Sequence, residues 1–267
     1  MTDPSAWVPR LHVETSGPAH ADVVLLLHGW GSSAALMRPI AHMLAPSYRV
    51  LAIDLPGHGL TPPPPEPWGV PEYARLVAAF LDREGLERVH IVGHSNGGRI
   101  ALYMASDPDL ARYVASLALI SPSGTRPTRS VSYYVRSGIA RALKLPIRLL
   151  PGRLRATGMD WLRHTWIWPL LGSSDFRQLT GVMRETFVKT ANCYLEDRLA
   201  RIEAPTIVLW GTGDDAISRK QMHTLVAGVR GAQLIELPGA GHYGYIDQPA
   251  PVAEALSRHL EPRHATV

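Results

Sequence analysis

Short apolar runs recur along the chain with helical patterns between them, and they constrain the fold more than any other feature. The runs are rich in Leu and β-branched residues and occupy residues 23–27, 50–53, 89–92, 117–120, 206–210 and 233–237. Strands that are covered by helices on both faces carry continuous apolar runs of this kind. The sequence therefore predicts a parallel sheet buried on both faces.

Apolar residues at helical spacing lie between these runs, and several of the helical patterns begin with Ser or Pro. The patterns occupy residues 33–45, 71–84, 95–105, 218–226 and 249–259. Alternation of strand and helix is typical of an α/β fold with a mostly parallel, doubly wound sheet. A chain of 267 residues has room for one such core with an elaboration.

The alternation stops between residues 120 and 206, a gap much longer than an ordinary crossover. Within it, residues 179–199 have helical spacing, and bulky apolar side chains are supplied by Trp161, Trp166 and Trp168. We interpret this segment as an inserted helical cap. The predicted division is a core of residues 1–121 and 200–267 and a cap of residues 122–199.

A Gly-x-Ser-x-Gly pattern directly follows the run at 89–92, where residues 93–97 read Gly-His-Ser-Asn-Gly. In a sharp strand-to-helix turn, glycines on either side let the neighbouring backbone pass while the serine hydroxyl is exposed. The bare pattern also fits a Gly-rich turn without catalysis, but the strand before it and the helix after it favour a nucleophile. We predict that Ser95 is that nucleophile.

A serine hydroxyl needs a base to remove its proton and a carboxylate to orient that base. Asp214 follows the run at 206–210 and His242 follows the run at 233–237, so both should open onto the same sheet edge as Ser95. We predict His242 as the general base and Asp214 as its acid, with the adjacent Asp215 as the alternative. This position is lacking in His28, His58, His90 and His94, and we assign structural roles to His28, His58 and His94.

In this order the motifs resemble those of the α/β-hydrolase superfamily, in particular small bacterial serine hydrolases with a helical lid. The resemblance covers nearly the whole chain and rests on residues 28–31, 54–59, 93–97, 210–214 and 241–242. It implies an oxyanion hole made of the backbone N–H groups of Trp30 and Asn96. A Gly-rich surface turn is the alternative for residues 28–31, and residues 54–59 are expected to be a structural turn.

The resemblance implies a carboxylesterase-like hydrolase that cleaves an ester, thioester or lactone through an acyl-enzyme on Ser95. A serine at this position argues against dehalogenases and epoxide hydrolases, which use a carboxylate nucleophile. Carbon–carbon bond hydrolysis of ring-cleavage diketones uses the same three residues and is the leading alternative. A catalytically silent binding module is disfavoured because all three residue types are present. No metal or organic cofactor is implied.

The predicted cap bears on substrates and partners. Trp30 and the three cap tryptophans could line a pocket for a small molecule with an apolar acyl group, or the latter could simply hold the cap to the core. Basic residues are concentrated there at Arg126, Arg129, Arg136, Arg141, Lys144, Arg148, Arg153, Arg155 and Arg163. Solvated helix faces are the simplest interpretation, followed by weak peripheral contact with an anionic membrane. No nucleic-acid motif accompanies the charge.

The remaining composition is that of an ordinary globular protein. The single cysteine, Cys193, has no partner for an internal disulfide. The first residues lack the apolar stretch of a signal peptide, and no run approaches the length of a membrane-spanning helix. We therefore expect a cytoplasmic protein, and the sequence makes no prediction of oligomeric state.

Overall fold

A computed structural model describes residues 3–127 and 179–261 of the chain. The strands in these residues form one seven-stranded sheet, in the order β1-β3-β2-β4-β5-β6-β7. All neighbouring strands are parallel except β1, which runs antiparallel to β3. The strands are β1 Val13–Ser16, β2 Val23–Leu27, β3 Arg49–Ile53, β4 Val89–His94, β5 Val114–Ile120, β6 Thr206–Gly211 and β7 Gln233–Leu237. The predicted α/β fold class is confirmed.

Helices cover both faces of the sheet. The α-helices are α1 Arg38–Leu44, α2 Val70–Arg83, α3 Asn96–Ser106, α4 Gly181–Ala191, α5 Arg219–Gly228, α6 Gly244–Asp247 and α7 Pro249–Leu260. Short 3-10 helices occupy Pro4–Arg10, Ala34–Met37, Ala111–Tyr113 and Glu196–Arg201. The helix predicted at residues 33–45 is thus divided between a 3-10 turn and α1.

Each predicted apolar run coincides with a strand, and in β2 to β6 the residues alternate between two buried faces, whereas in the edge strand β7 only Leu237 is buried. In β2, Leu25 and Leu27 belong to the core cluster that also contains residues of α2, α3 and α5, whereas Val24 and Leu26 belong to the cluster that contains residues of α1 and α7. All four side chains are fully buried. Burial of each such side chain stabilises the fold by roughly 1.5–3 kcal/mol.

The edge strand β1 was not predicted. It is four residues long, has the sequence Val-Glu-Thr-Ser and is only partly buried. It pairs with β3, where Val13 lies opposite Ile53. Short, polar edge strands lack the continuous apolar run that marks a buried strand. The antiparallel direction of β1 follows from no pattern that we identified.

Local signals place the helix starts. The side chain of Glu72 accepts the backbone N–H of Gly69 at 2.8 Å at the start of α2. At the start of α5, Gln221 Oε1 accepts the N–H of Ser218 at 3.1 Å, and the Ser218 hydroxyl accepts the N–H of Gln221. Reciprocal bonds of this kind satisfy N–H groups that have no partner within the helix.

The strand order creates a crevice at the carboxyl edge of the sheet. From β2 the chain passes to β3 on one side, whereas β4 to β7 follow on the other side. The loops that leave the neighbouring strands β2 and β4 therefore diverge, which is where open α/β sheets bind ligands. The loop after β2 begins at His28, and the turn after β4 contains Ser95.

Of the predicted cap, the structure describes residues 122–127 and 179–199, so the division into core and cap stays a prediction. The single helix predicted at 179–199 is wrong in its second half, because α4 ends at Ala191. Beyond it, the N–H of Leu195 bonds to the carbonyl of Gly124 at 2.8 Å, which draws the chain back to the core.

Only Arg126 of the basic cap residues lies within the described ranges, where it pairs with Glu196. The other basic residues fall outside them, so the predicted membrane contact stays a prediction. Across residues 3–127 and 179–261, the helices are too short or too polar to cross a membrane.

The turn at residues 54–59 is built around a buried carboxylate. Asp54, with 2% of its surface exposed, accepts the N–H of Ala34 at 2.6 Å and the N–H of Leu60 at 2.8 Å. The carboxylate thereby ties the segment after β3 to the segment after β2. This geometry gives the turn a structural role.

Replacement of Asp54 by Ala should lower the free energy of unfolding by roughly 2–4 kcal/mol, because two N–H groups lose a charged acceptor. Urea denaturation would measure the change. The matched control is Asp215→Ala, an exposed carboxylate whose loss should change the stability by less than about 0.5 kcal/mol. Equal losses in the two variants would contradict this role of Asp54.

Candidate active site

Ser95 occupies a strained turn between β4 and α3. Its backbone has φ 49° and ψ −110°, which residues with a side chain rarely adopt. The N–H of Ser95 donates to the carbonyl of Ile120 at 3.0 Å. The carbonyl of Ser95 accepts both the N–H and the hydroxyl of Ser123, at 3.0 and 3.1 Å. These bonds hold the turn on both sides, so that the Ser95 side chain lies at the carboxyl edge of the sheet.

Two glycines allow the backbone to close around this turn. A Cβ atom on Gly97 would lie 2.0 Å from the carbonyl oxygen of Leu27, so α3 can approach β2 only with glycine there. A Cβ atom on Gly29 would lie 2.9 Å from Nδ1 of His94 and 3.2 Å from Cβ of Ser95. Gly29 therefore lets the loop after β2 pack directly against the serine turn.

Asp214 and His242 form a hydrogen-bonded pair at the ends of β6 and β7. Nδ1 of His242 donates to Oδ2 of Asp214 at 2.9 Å. Oδ1 of Asp214 accepts the N–H groups of Ala216 and Ile217 at 2.8 and 2.9 Å. Because Nδ1 carries the proton in this bond, Nε2 is the nitrogen of the neutral ring that can accept a proton.

The carboxylate of this pair stays ionised despite its burial. The Asp214 side chain has no exposed surface. Burial alone would raise its pKa, but the bonds from His242 and Ile217 outweigh that effect and hold the pKa below the usual range. Asp215, the alternative acid, is exposed, and the carboxylate that bonds to His242 is that of Asp214.

His94 holds the backbone of the His242 loop. Nε2 of His94 donates to the carbonyl of His242 at 3.0 Å, and a carbonyl can only accept, so Nε2 carries the proton. Burial, together with the neighbouring His242, lowers the pKa of His94 to about 3. Sequence reasoning assigned His94 a structural role without finding this contact, which joins residues distant in the chain and leaves no local pattern.

Trp30 and Asn96, which follow β2 and β4, line the same cavity as Ser95. Asn96 is the first residue of α3, so its N–H has no acceptor within the helix. Within residues 3–127 and 179–261, neither N–H donates a hydrogen bond. The arrangement leaves two donors available beside the Ser95 turn.

His28 shapes the loop that carries Trp30. Its Nε2 accepts the N–H of Leu55 at 2.9 Å, and its Nδ1 donates to the carbonyl of Gly29 at 2.7 Å. Burial, with a further contribution from His58, lowers the pKa of His28 to about 4. The ring therefore bridges the segments after β2 and β3 in its neutral form.

Ser95, His242, Trp30 and Asn96 line one cavity. Sequence analysis did not single out the other residues around it, among them Arg99, Ser123, Phe187, Thr190, Ala216 and Tyr243. The Trp30 ring packs edge-on against Phe187 of α4, with 5.0 Å between ring centroids. The proposed substrate contacts Trp161, Trp166 and Trp168 lie outside the described residues.

Within the two described ranges, the His, Cys, Asp and Glu side chains form no group of three or more that could hold a metal ion.

Comparison with known proteins identifies the family. A family model described as the alpha/beta hydrolase family matches residues 24–255. The chain belongs to the alpha/beta hydrolase family. The predicted resemblance is thus confirmed. The chain is 27% identical to a pimeloyl-[acyl-carrier protein] methyl ester esterase of Xanthomonas campestris pv. campestris, over 94% of this chain and 98% of that protein.

Solved structures share the fold of this α/β hydrolase. The enol-lactonase of Burkholderia xenovorans LB400 superposes with a TM-score of 0.70 at 21% identity, covering 94% of this chain and 96% of that one. The 2-hydroxy-6-oxo-6-phenylhexa-2,4-dienoate hydrolase of Rhodococcus sp. strain RHA1 superposes with a TM-score of 0.68 at 21% identity, covering 93% and 94%.

Acid should destabilise this α/β hydrolase through its buried neutral histidines. Below pH 6.5 an unfolded histidine takes up a proton, whereas folded His28 and His94, with pKa values of about 4 and 3, do not. The free energy of unfolding should therefore fall as the pH drops from 6.5 towards 4, by up to about 1.4 kcal/mol per pH unit for each group.

Urea denaturation of His94→Gln between pH 7 and pH 4.5 would isolate one of these contributions, because the Gln amide can keep the bond to the His242 carbonyl. We expect a shallower pH dependence than in the wild type. The matched control is His20→Gln, which alters an exposed histidine and should leave the slope unchanged. If the free energy of unfolding of His94→Gln depends on pH as steeply as that of the wild type, His94 is protonated in the folded protein.

Proposed function

We propose that this protein is a serine hydrolase that cleaves a carboxylic ester, or a related thioester or lactone, through an acyl-enzyme on Ser95. The observation that carries the proposal is the hydrogen bond of His242 Nδ1 to buried Asp214, on a histidine that lines the same cavity as Ser95. A hydroxyl on a strained strand-to-helix turn beside such a pair is suited to nucleophilic attack on a carbonyl carbon.

In the first half of the proposed reaction, Nε2 of His242 takes the proton of the Ser95 hydroxyl as its oxygen attacks the ester carbonyl. The negative charge on the carbonyl oxygen is stabilised by the N–H groups of Trp30 and Asn96. The tetrahedral intermediate collapses as the bond to the leaving oxygen breaks. The imidazolium of His242 donates its proton to that oxygen, and the acyl group stays on Ser95.

In the second half, His242 takes a proton from a water molecule that attacks the acyl-enzyme. The same two N–H groups stabilise the second intermediate, and the proton returns from His242 to the oxygen of Ser95 as the acid leaves. Asp214 remains ionised throughout and stabilises the imidazolium. The lowered pKa of Asp214 supports this role.

The similarity to a protein named as a methyl ester esterase supports ester chemistry. Hydrolysis of a carbon–carbon bond in ring-cleavage diketones would use the same Ser95, Asp214 and His242, so the choice between them depends on the substrate. Trp30 and Phe187, whose rings pack edge-on at the cavity, support an apolar segment in the acyl group.

A series of p-nitrophenyl esters of increasing acyl length tests the proposal. Ser95→Ala and His242→Ala should each lower kcat/KM by at least about a thousandfold, because each removes a group that acts in the transition state. The acyl length with the highest kcat/KM would report the depth of the cavity. Retention of activity in Ser95→Ala would contradict the proposal.

The adjacent carboxylates provide a matched pair for the acid. Asp214→Asn should lower kcat by about a thousandfold or more, because the amide cannot stabilise the imidazolium and favours the wrong tautomer. Asp215→Asn should leave kcat within about twofold of the wild type. Equal losses in the two variants, measured with the same ester, would contradict the assigned role of Asp214. If wild type hydrolyses no ester, ring-cleavage diketones are the next substrates to test.

A further inference from the structure

Arg99 places a buried positive charge beside the candidate active site. It lies one helical turn after Ser95 on α3, and its N–H bonds to the Ser95 carbonyl at 3.2 Å. Only 8% of the residue is exposed, yet it lines the same cavity as Ser95 and His242. A guanidinium group stays charged at any ordinary pH, and burial of such a charge is costly unless an anion accompanies it.

The described residues supply no such anion. One N–H of Arg99, at Nη1, donates to the backbone carbonyl of Thr190 near the end of α4. Nε is buried and has no hydrogen-bond partner, and no carboxylate within residues 3–127 and 179–261 forms an ion pair with Arg99. Burial lowers the pKa of Arg99 to about 10, and the small opposing effects of Cys193 and Tyr194 do not restore it.

Arg99 lies one turn of α3 after Ser95, about 5 Å along the helix axis, and lines the same cavity. Asp214 is already committed to His242 and to two backbone N–H groups. The Asp214 carboxylate therefore has its own donors, and it forms no ion pair with Arg99.

The edge formed by Nε and Nη2 is the part of the guanidinium that has no acceptor among the described residues. Arg38 uses this edge elsewhere in the protein: its Nε and Nη2 each donate to one oxygen of Glu14, both at 2.8 Å. Paired bonds of this kind are the preferred way in which arginine binds a carboxylate. The Nε edge of Arg99 is thus chemically matched to a carboxylate.

We propose that Arg99 binds a carboxylate of the substrate, and hence that the substrates are esters whose acyl part carries a free carboxylate beyond an apolar segment. The apolar segment would lie along Trp30 and Phe187. This inference takes its reaction from the proposed function, whereas the anion site rests on Arg99 itself.

A purely structural role is the competing account of Arg99. The bond from Nη1 to the Thr190 carbonyl fastens α4 to α3 and would explain a loss of stability on substitution. This bond does not use Nε. A purely structural role predicts that substitution of Arg99 lowers kcat/KM equally for charged and neutral substrates. The two accounts therefore differ in selectivity rather than in overall activity.

The test compares mono-p-nitrophenyl adipate with p-nitrophenyl heptanoate, which have acyl parts of similar length with and without a carboxylate. The wild type should prefer the adipate. Arg99→Met should lower kcat/KM for the adipate by about 10- to 100-fold, mainly through KM, since a hydrogen-bonded charge partner is lost. Arg99→Met should change kcat/KM for the heptanoate by less than about threefold. Arg99→Lys should recover part of the preference for the adipate.

Arg126→Met is the matched control, because it removes an arginine that is exposed and does not line the cavity. It should keep the wild-type preference. Equal losses for the two esters in Arg99→Met, or no preference in the wild type, would overturn the proposal.

A measurement on the wild type alone keeps the test decisive if Arg99→Met does not fold. Hexanoate should stabilise the protein against thermal unfolding at least about tenfold more effectively, by concentration, than hexanamide. Equal effects of the two compounds would overturn the anion site. If neither ester is hydrolysed, the proposed function fails, and equal effects of hexanoate and hexanamide would still overturn the anion site.

Discussion

The backbone of Ser95 has a strained conformation that costs about 1–3 kcal/mol. The hydrogen bonds and packing around it stabilise this conformation. The carbonyl of Ile120 takes its N–H, and Ser123 donates twice to its carbonyl. Glycine at position 97 lets α3 approach β2 closely enough for these bonds to form. The sheet holds β4 and β5 side by side, so that the hydrogen-bond partners of the turn are fixed in place. The strained turn exposes the serine side chain at the crevice.

Four buried groups set the electrostatics around this turn in different ways. His28 and His94 are neutral. Both ring nitrogens of His28, and Nε2 of His94, form hydrogen bonds with backbone groups of neighbouring loops. Asp214 is ionised and has its charge balanced by donors. Arg99 is charged without an anion in the described residues. Among the described residues, Asp214 thus carries a negative charge that is compensated by donors, whereas Arg99 carries a positive charge without an anion.

The sequence predicted the parts of the fold whose signals are local. Continuous apolar runs identified the buried strands, and the glycines and the flanking elements identified the turn at Ser95. β1 was missed because a short edge strand buries little, and the helix at 179–199 was extended too far because a tertiary bond to Gly124 turns the chain at Leu195. Local patterns do not contain such long-range contacts.

The candidate site divides in the same way. The order of Ser95, Asp214 and His242 could be predicted, whereas the distinction between Asp214 and Asp215 needed the direction of two adjacent side chains. Arg99 follows the serine motif within α3, where nothing in the sequence separates a solvated arginine from a buried one. Its burial arises from packing against α4 and the segment that contains Leu195, which only the folded chain displays.

The most direct test of the central claim is to identify the residue that reacts with a fluorophosphonate probe, by mass spectrometry of the digested protein. The account predicts one adduct on the peptide that contains Ser95, formed on the folded protein and greatly slowed by His242→Ala. An adduct on another residue, or no adduct on folded wild-type protein at probe concentrations that label serine hydrolases, would contradict it.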